Sequence, residues 1–439
     1  MAFLNTSRFQ LDKLLCELSI LSALFPYFRL QTSSYTQLYP YLLALAYLLS
    51  LSINDRKLYI KCIKMTRMTL PLLSVPFILV VFAATQDSDQ SLKYLISLLG
   101  PIFLTPIYLS ALIKYHKQTF NLVFLALILW ALLGLFQLAG FQPDLFIVSP
   151  EVQSDMALSG RGSVSFSPEP THFGFTMICM SSILICIEPR QTKILIILIT
   201  LASSILVAKS SSCILIYLLA FFSCVATFAI QILRVLQSNT KNLLKIRIRV
   251  LFLALMFLAS ILGLYFFANR FLEGSRIVDL ISQFKSASIK LNPDIDSLIY
   301  SIQLIDFSVG ARLGGLLFSL KQVFLSYGLP NGFSNEHWNI IIQSSGIDIS
   351  AAGPPSGYFL NLYVGGVLAL PVLSSFFSYL TNRIDFRQSL ISFILLSSGY
   401  VFLFQFTLAS PVFSLLLSAL VPITNLSNNY PKTAEPLSI

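Results

Sequence analysis

The sequence predicts an all-α polytopic membrane protein of about twelve transmembrane helices, with two large outer loops containing short interfacial helices. Three observations predict it. Of 439 residues, 56% are hydrophobic and only 11% charged, against roughly 25% charged in an average soluble domain. Apolar runs of bilayer-crossing length, about 17–25 residues, recur along the whole chain. The cations collect in short loops between those runs, as the positive-inside rule requires. The net charge of +10 is therefore a topology signal and not a nucleic-acid footprint. The alternation of a transmembrane β-barrel is absent from the sequence.

The expected spans run 14–30, 36–53, 68–85, 92–113 and 119–140, then 172–188, 193–208, 211–233 and 250–268, and finally 356–380, 388–406 and 408–424. No small-residue cleavage site follows the first run, so it reads as a retained helix. The loop after the second carries Arg56, Lys57, Lys61, Lys64 and Arg67. Lys114 and Lys117 divide the fourth and fifth runs, and Arg190 and Lys193 the sixth and seventh. Arg234, Lys241, Lys245, Arg247 and Arg249 follow the eighth, and Arg383 and Arg387 the tenth. A twelve-span count puts all five basic loops on one side and the acidic 86–91 loop on the other. Both termini are then expected in the cytoplasm. In the last pair, Ser410–Pro411 either begins a separate span or marks a kink inside one longer hairpin.

That topology leaves residues 141–171 and 269–355 outside, as a cap on a single membrane domain spanning 1–439. Long segments of this kind in a compact protein tend to carry function. Residues 297–309 and 312–327 have apolar side chains at helical spacing and suit helices lying along the interface. The six cysteines avoid both loops, so no disulfide staples them.

The outer stretch 159–175 gathers Arg161, Glu169 and His172, with Pro168 and Pro170 stiffening the chain around Glu169. A cation, a carboxylate and an imidazole at a membrane edge suit an anionic substrate. Arg161 breaks the charge bias of the other cations, and its planar fork fits phosphate or carboxylate. Alternatively it pairs with Glu151, Asp155 or lipid headgroups. Glu169 can take a proton or hold Arg161. His172 can shuttle a proton or simply cap a helix. Lys209, at the outer end of the seventh span, adds a positive charge or snorkels. In the second loop, Arg312 stands among Gly310, Gly314 and Gly315, where close backbone approach suits an oxyanion. Arg270 and Arg276 flank Glu273 and can meet headgroups. Glu336, His337 and Trp338 offer an aromatic face beside polar groups, suited to a sugar ring or to the interface.

With His116, the sequence holds three histidines, too few for a His-rich metal centre. Asp87/Asp89 and Asp294/Asp296 are bare D-x-D patterns that hold a cation or merely start a turn. The sequence contains no Walker motif, which excludes an ATP-driven pump. Mid-span charges of the kind ion-coupled transporters use are nearly missing.

Three stretches together resemble a known family: S-G-R…F-S-x-E-P-[ST] at 159–171, G-x-R at 310–312 running into Y-G-L-P-N-G-F, and Y-F-L-N-L-Y-V-G-G at 358–366. With the span count, the chain resembles the bacterial O-antigen polymerases of Wzy type. These share an architecture with the O-antigen ligases and belong to the GT-C-type membrane glycosyltransferases. The resemblance implies an inner-membrane enzyme that polymerises undecaprenyl-pyrophosphate-linked oligosaccharide units into O-antigen or capsule at the periplasmic face. It implies Arg161 and Arg312 as the loop arginines and His337 as the ligases' histidine; a pyrophosphate leaving group then adds Lys209 and Arg276 as further charges, and Glu169 or His172 as further catalytic candidates. No cofactor or metal is implied, and no nucleic acid. A chain-length regulator and membrane lipids are the implied partners. The alternatives are an O-antigen ligase, using the same donor chemistry, and a flippase for lipid-linked oligosaccharide.

Overall fold

The computed structural model describes residues 2–28, 38–67, 69, 88–141, 162–187, 193–238, 316–317, 319–331, 358–384, 389–404 and 410–421. Among them every regular element is a helix. Helices α1 (Ala2–Leu24), α2 (Tyr39–Asn54) and α3 (Arg56–Met65) are followed by α4 (Ser88–Lys114) and α5 (His116–Leu138). Then come α6 (Pro170–Ile187), α7 (Lys193–Leu201, continued by a π turn over Ala202–Val207) and α8 (Ser211–Ser238). Next are α9 (Tyr358–Gly365), a 3-10 turn (Gly366–Ala369) and α10 (Leu370–Thr381), and last α11 (Ser389–Phe404) and α12 (Pro411–Leu420).

Among the described residues, three helical stretches are long and apolar enough to cross a membrane: His116–Leu138, Pro170–Ile187 and Leu362–Thr381. Six further apolar helices are shorter. The expected spans 68–85 and 250–268 lie outside the described residues, apart from Thr69. The first helix begins at Ala2, well before the expected 14, because helical hydrogen bonding continues where the apolar run stops.

Helix α6 is the axis of the bundle. All its residues are buried except His172 and Cys186, which are half-buried. A helix apolar on every side needs neighbours on every side, and α5, α7, α8, α11 and α12 supply them. Helix α12 is buried along its whole length, between α4 and α6. Small hydroxyl residues tie these helices together in the manner of membrane bundles. Ser181 bonds Thr200, Ser204 lies 2.7 Å from the Tyr217 hydroxyl, and Ser418 donates to the Thr105 carbonyl at 2.8 Å.

The two ends of the bundle differ in charge. At one end Lys114 Nζ lies 2.9 Å from Asp12 and 4.0 Å from Asp55. Arg383 donates to the carbonyls of Ala419 and Leu420, capping α12 at 3.2 and 2.9 Å. Lys193 and Arg383 both lie within electrostatic reach of Cys186, near the C-terminal end of α6. His172 is in the first turn of α6, at the opposite end. The basic positions at 56–67, 114, 193 and 383 thus share one end, and Glu169, His172 and Lys209 share the other.

Candidate functional site

The site is built where residues 162–169 fold back onto the ends of α5, α6 and α7. Gln137, in the last turn of α5, receives the segment. Its Oε1 accepts from the Ser163 hydroxyl at 2.6 Å and from the Ser165 amide at 2.7 Å, and its Nε2 donates to the Ser165 carbonyl at 3.3 Å. The Ser165 hydroxyl donates to the Trp130 carbonyl at 2.7 Å. The Ser163 amide donates to the Val207 carbonyl at 3.0 Å, tying the segment to the π turn. Beneath it lies an aromatic cluster. Phe166 meets Phe25 edge-on at 5.0 Å and Trp130 at 5.6 Å, and Trp130 stacks on Phe173 at 6.0 Å.

The segment then enters α6. Pro170 opens the helix, where its missing N–H is no loss. The Glu169 carbonyl accepts the first helical bond from the Phe173 amide at 3.1 Å, and also accepts from Ser167 Oγ at 2.7 Å. Half-buried Glu169 therefore sits at the positive end of the α6 dipole. His172 Nδ1 lies 3.4 Å from the Tyr27 hydroxyl, with the rings edge-on at 5.8 Å.

Helix α7 delivers Lys209 to the same place. The π turn ends with the Ala208 amide on the Ser203 carbonyl at 2.8 Å, and Lys209 follows with φ +48°. Helix α8 starts two residues later. The Ser210 hydroxyl lies 3.3 Å from Thr171 Oγ1, so the N-termini of α6 and α8 are hydrogen-bonded to each other. Helix N-termini carry free N–H groups and partial positive charge. Ser212, also buried here, has a hydroxyl with no hydrogen-bond partner among the described residues. Lys209 is half-buried and has no carboxylate within salt-bridge range among the described residues. Lys209, the free N–H groups of two helix starts and the Glu169 carboxylate thus share one corner, where the cation and the N–H groups suit an oxyanion and the carboxylate a proton.

A second junction joins two stretches far apart in sequence. The Val367 amide, in the helix break after α9, donates to the Gly328 carbonyl at 3.0 Å. Asn331 Nδ2 donates to the Tyr363 carbonyl at 3.0 Å. The motif-like stretches at 327–331 and 358–366 therefore meet. Residues 319–325 are helical, within the expected interfacial segment 312–327, and Phe324, Leu325 and Tyr327 are exposed on it. Every described residue with positive φ except Gly140 lies at one junction or the other: Gly162, Ser165 and Lys209 at the first, Tyr327, Gly328 and Gly366 at the second.

Of the expected site residues, the structure gathers Glu169, His172 and Lys209 at one end of the bundle. Arg161, Arg276, Arg312 and His337 lie outside the described residues, as do Arg270, Glu273, Glu336, Trp338, Asp87, Asp294 and Asp296. Arg161 is the chain neighbour of Gly162, which packs against Lys209. Sequence reasoning missed Gln137, Ser163, Ser165, Thr171 and Ser210. The alternating serines at 163, 165 and 167 were the available signal. The chain matches no protein-family model, and no curated protein is detectably similar to it.

Proposed function

We propose that this protein is a polysaccharide polymerase of the bacterial inner membrane, with both termini cytoplasmic and about twelve spans. In this reading it joins undecaprenyl-pyrophosphate-linked oligosaccharide units at the periplasmic face. One observation carries the reading: Lys209 packs against Gly162, the chain neighbour of Arg161, where the N-termini of α6 and α8 meet. Such a corner matches the charge that develops on a departing pyrophosphate.

In the transfer, an acceptor sugar hydroxyl attacks the anomeric carbon of the donor. The bond between that carbon and the pyrophosphate oxygen breaks, and undecaprenyl pyrophosphate leaves. The hydroxyl proton passes to a carboxylate or imidazole, for which Glu169, His172 and His337 are the candidates. Arg161, Lys209, Arg276 and Arg312 offset the leaving group's charge. The lipid tails stay among the membrane helices.

The test is the glycan banding pattern of cells in which variants replace the native protein. Arg161→Ala and Arg312→Ala are each expected to abolish chain growth at unchanged protein level. Normal long chains in both would refute the assignment. After deletion, single repeat units on the core mean a polymerase, whereas long chains accumulating on the lipid carrier mean a ligase.

A further inference from the structure

Helix α3 carries a chemical pattern that the transfer reaction does not use, at the opposite end of the bundle. Its ten residues, RKLYIKCIKM, contain four cations and no carboxylate. At about 100° per residue the side chains divide into three sectors. Leu58 and Cys62, fully buried, with Tyr59 and Met65 beside them, pack the helix onto the protein core. Lys57 and Lys64 point together on a second, exposed sector. Ile60 and Ile63, 41% and 45% exposed, form the third, with Arg56 between them. Arg67 follows the helix and is also exposed. None of Arg56, Lys57, Lys64 and Arg67 has a salt-bridge partner among the described residues.

The helix itself does not explain this arrangement. Cations in a first turn oppose the helix dipole, and Arg56 and Lys57 occupy the first turn. Asp55, the N-cap, spends its carboxylate on the Leu58 amide at 3.3 Å and reaches toward Lys114. A soluble polyanion would satisfy the cations and leave Ile60 and Ile63 in water. A lipid surface takes both, with isoleucines at the acyl boundary, lysines among the headgroups, and the Arg56 stem snorkelling between.

We infer that helix α3 is a docking surface for anionic phospholipid headgroups. This is independent of the transfer reaction proposed above. The experiment titrates purified full-length protein in neutral detergent with fluorescent phosphatidylglycerol and, separately, phosphatidylcholine. Phosphatidylglycerol is expected to bind about tenfold tighter, with a preference that shrinks as salt rises. Combined Arg56→Gln, Lys57→Gln, Lys64→Gln and Arg67→Gln substitution removes most of that preference, whereas Lys57→Arg with Lys64→Arg keeps it. Ile60→Ser with Ile63→Ser weakens both lipids and leaves the salt dependence in place. Equal affinity of the unaltered protein for the two lipids overturns the inference, and that measurement needs no variant. So does an undiminished preference in the quadruple variant. Tighter binding of a soluble polyanion, indifferent to the isoleucine changes, also overturns it and assigns the face to that partner.

Discussion

The carbonyl oxygen of Ala208 lies 2.3 Å from where a side chain on Gly162 would begin. Only a residue without a Cβ fits there, and Gly162 also needs its φ of +103°. This contact holds the 162–169 segment against the end of α7 and brings Lys209 beside it. Gly162→Ala is expected to cost about 1–3 kcal/mol. Thermal unfolding in detergent would fall by several degrees, and chain growth would fall with it. An unchanged melting temperature would mean that the segment does not dock this closely.

Lys209 offers a cleaner separation of charge from structure. Its φ of +48° is a conformation that asparagine adopts more readily than most residues. Lys209→Asn therefore removes the cation and keeps the backbone. Stability is expected to stay within about 0.5 kcal/mol, while long-chain glycan falls tenfold or more. Lys209→Arg should retain most of the product. Normal chains from the asparagine variant would remove Lys209 from the proposed anion site.

The apolar helices were legible because burial writes itself into hydropathy. The expected 36–53 and 211–233 appear as Tyr39–Asn54 and Ser211–Ser238. His172 lies in the first turn of its helix as read, since Pro170 suits a first helical position. What hydropathy missed depends on long-range pairing. Gln137 meets Ser163 and Ser165 across more than twenty residues, and although the serines alternate at 163, 165 and 167, nothing local to them or to Gln137 names the partner. The expected 356–380 reads as one continuous span, yet the helix breaks at Gly366. There the Gly328 carbonyl comes within 2.3 Å of the Cβ position and accepts the Val367 amide freed by the break. Asp12 escaped notice for a related reason. Beside Lys13 and Glu17 it reads as a solvated charge, but it is 1% exposed.

That buried carboxylate ties three helices together. Ser50 of α2 donates to Asp12 Oδ1 at 2.6 Å, Tyr115 at the end of α4 donates to Oδ2 at 2.7 Å, and Lys114 pairs with Oδ2. Asp12→Ala leaves half-buried Lys114 only its 4.0 Å contact to Asp55 and removes the acceptor of the Ser50 and Tyr115 hydroxyls, so it is expected to cost about 1–3 kcal/mol. Replacing both, as Asp12→Leu with Lys114→Met, should recover most of the loss. A double-mutant cycle read by thermal unfolding measures the coupling. If Asp12→Ala melts like the unaltered protein, the pair contributes nothing and other contacts hold these helices.

The same carboxylate gives a pH signature. Burial alone would raise its pKa, but hydrogen bonds from Ser50, Tyr115 and Lys114, with the Lys114 charge, outweigh burial and hold it below the ordinary 3.8. The unfolded chain therefore takes up this proton more readily than the native one. The stabilisation is fully present above the unfolded value and declines as pH falls below about 3.8 through the native pKa. Melting temperature measured from pH 6 down to about 3 should drop more steeply for the unaltered protein than for Asp12→Asn. Parallel curves for the two would show that Asp12 titrates alike in both states, and that its three partners do not favour the charged form.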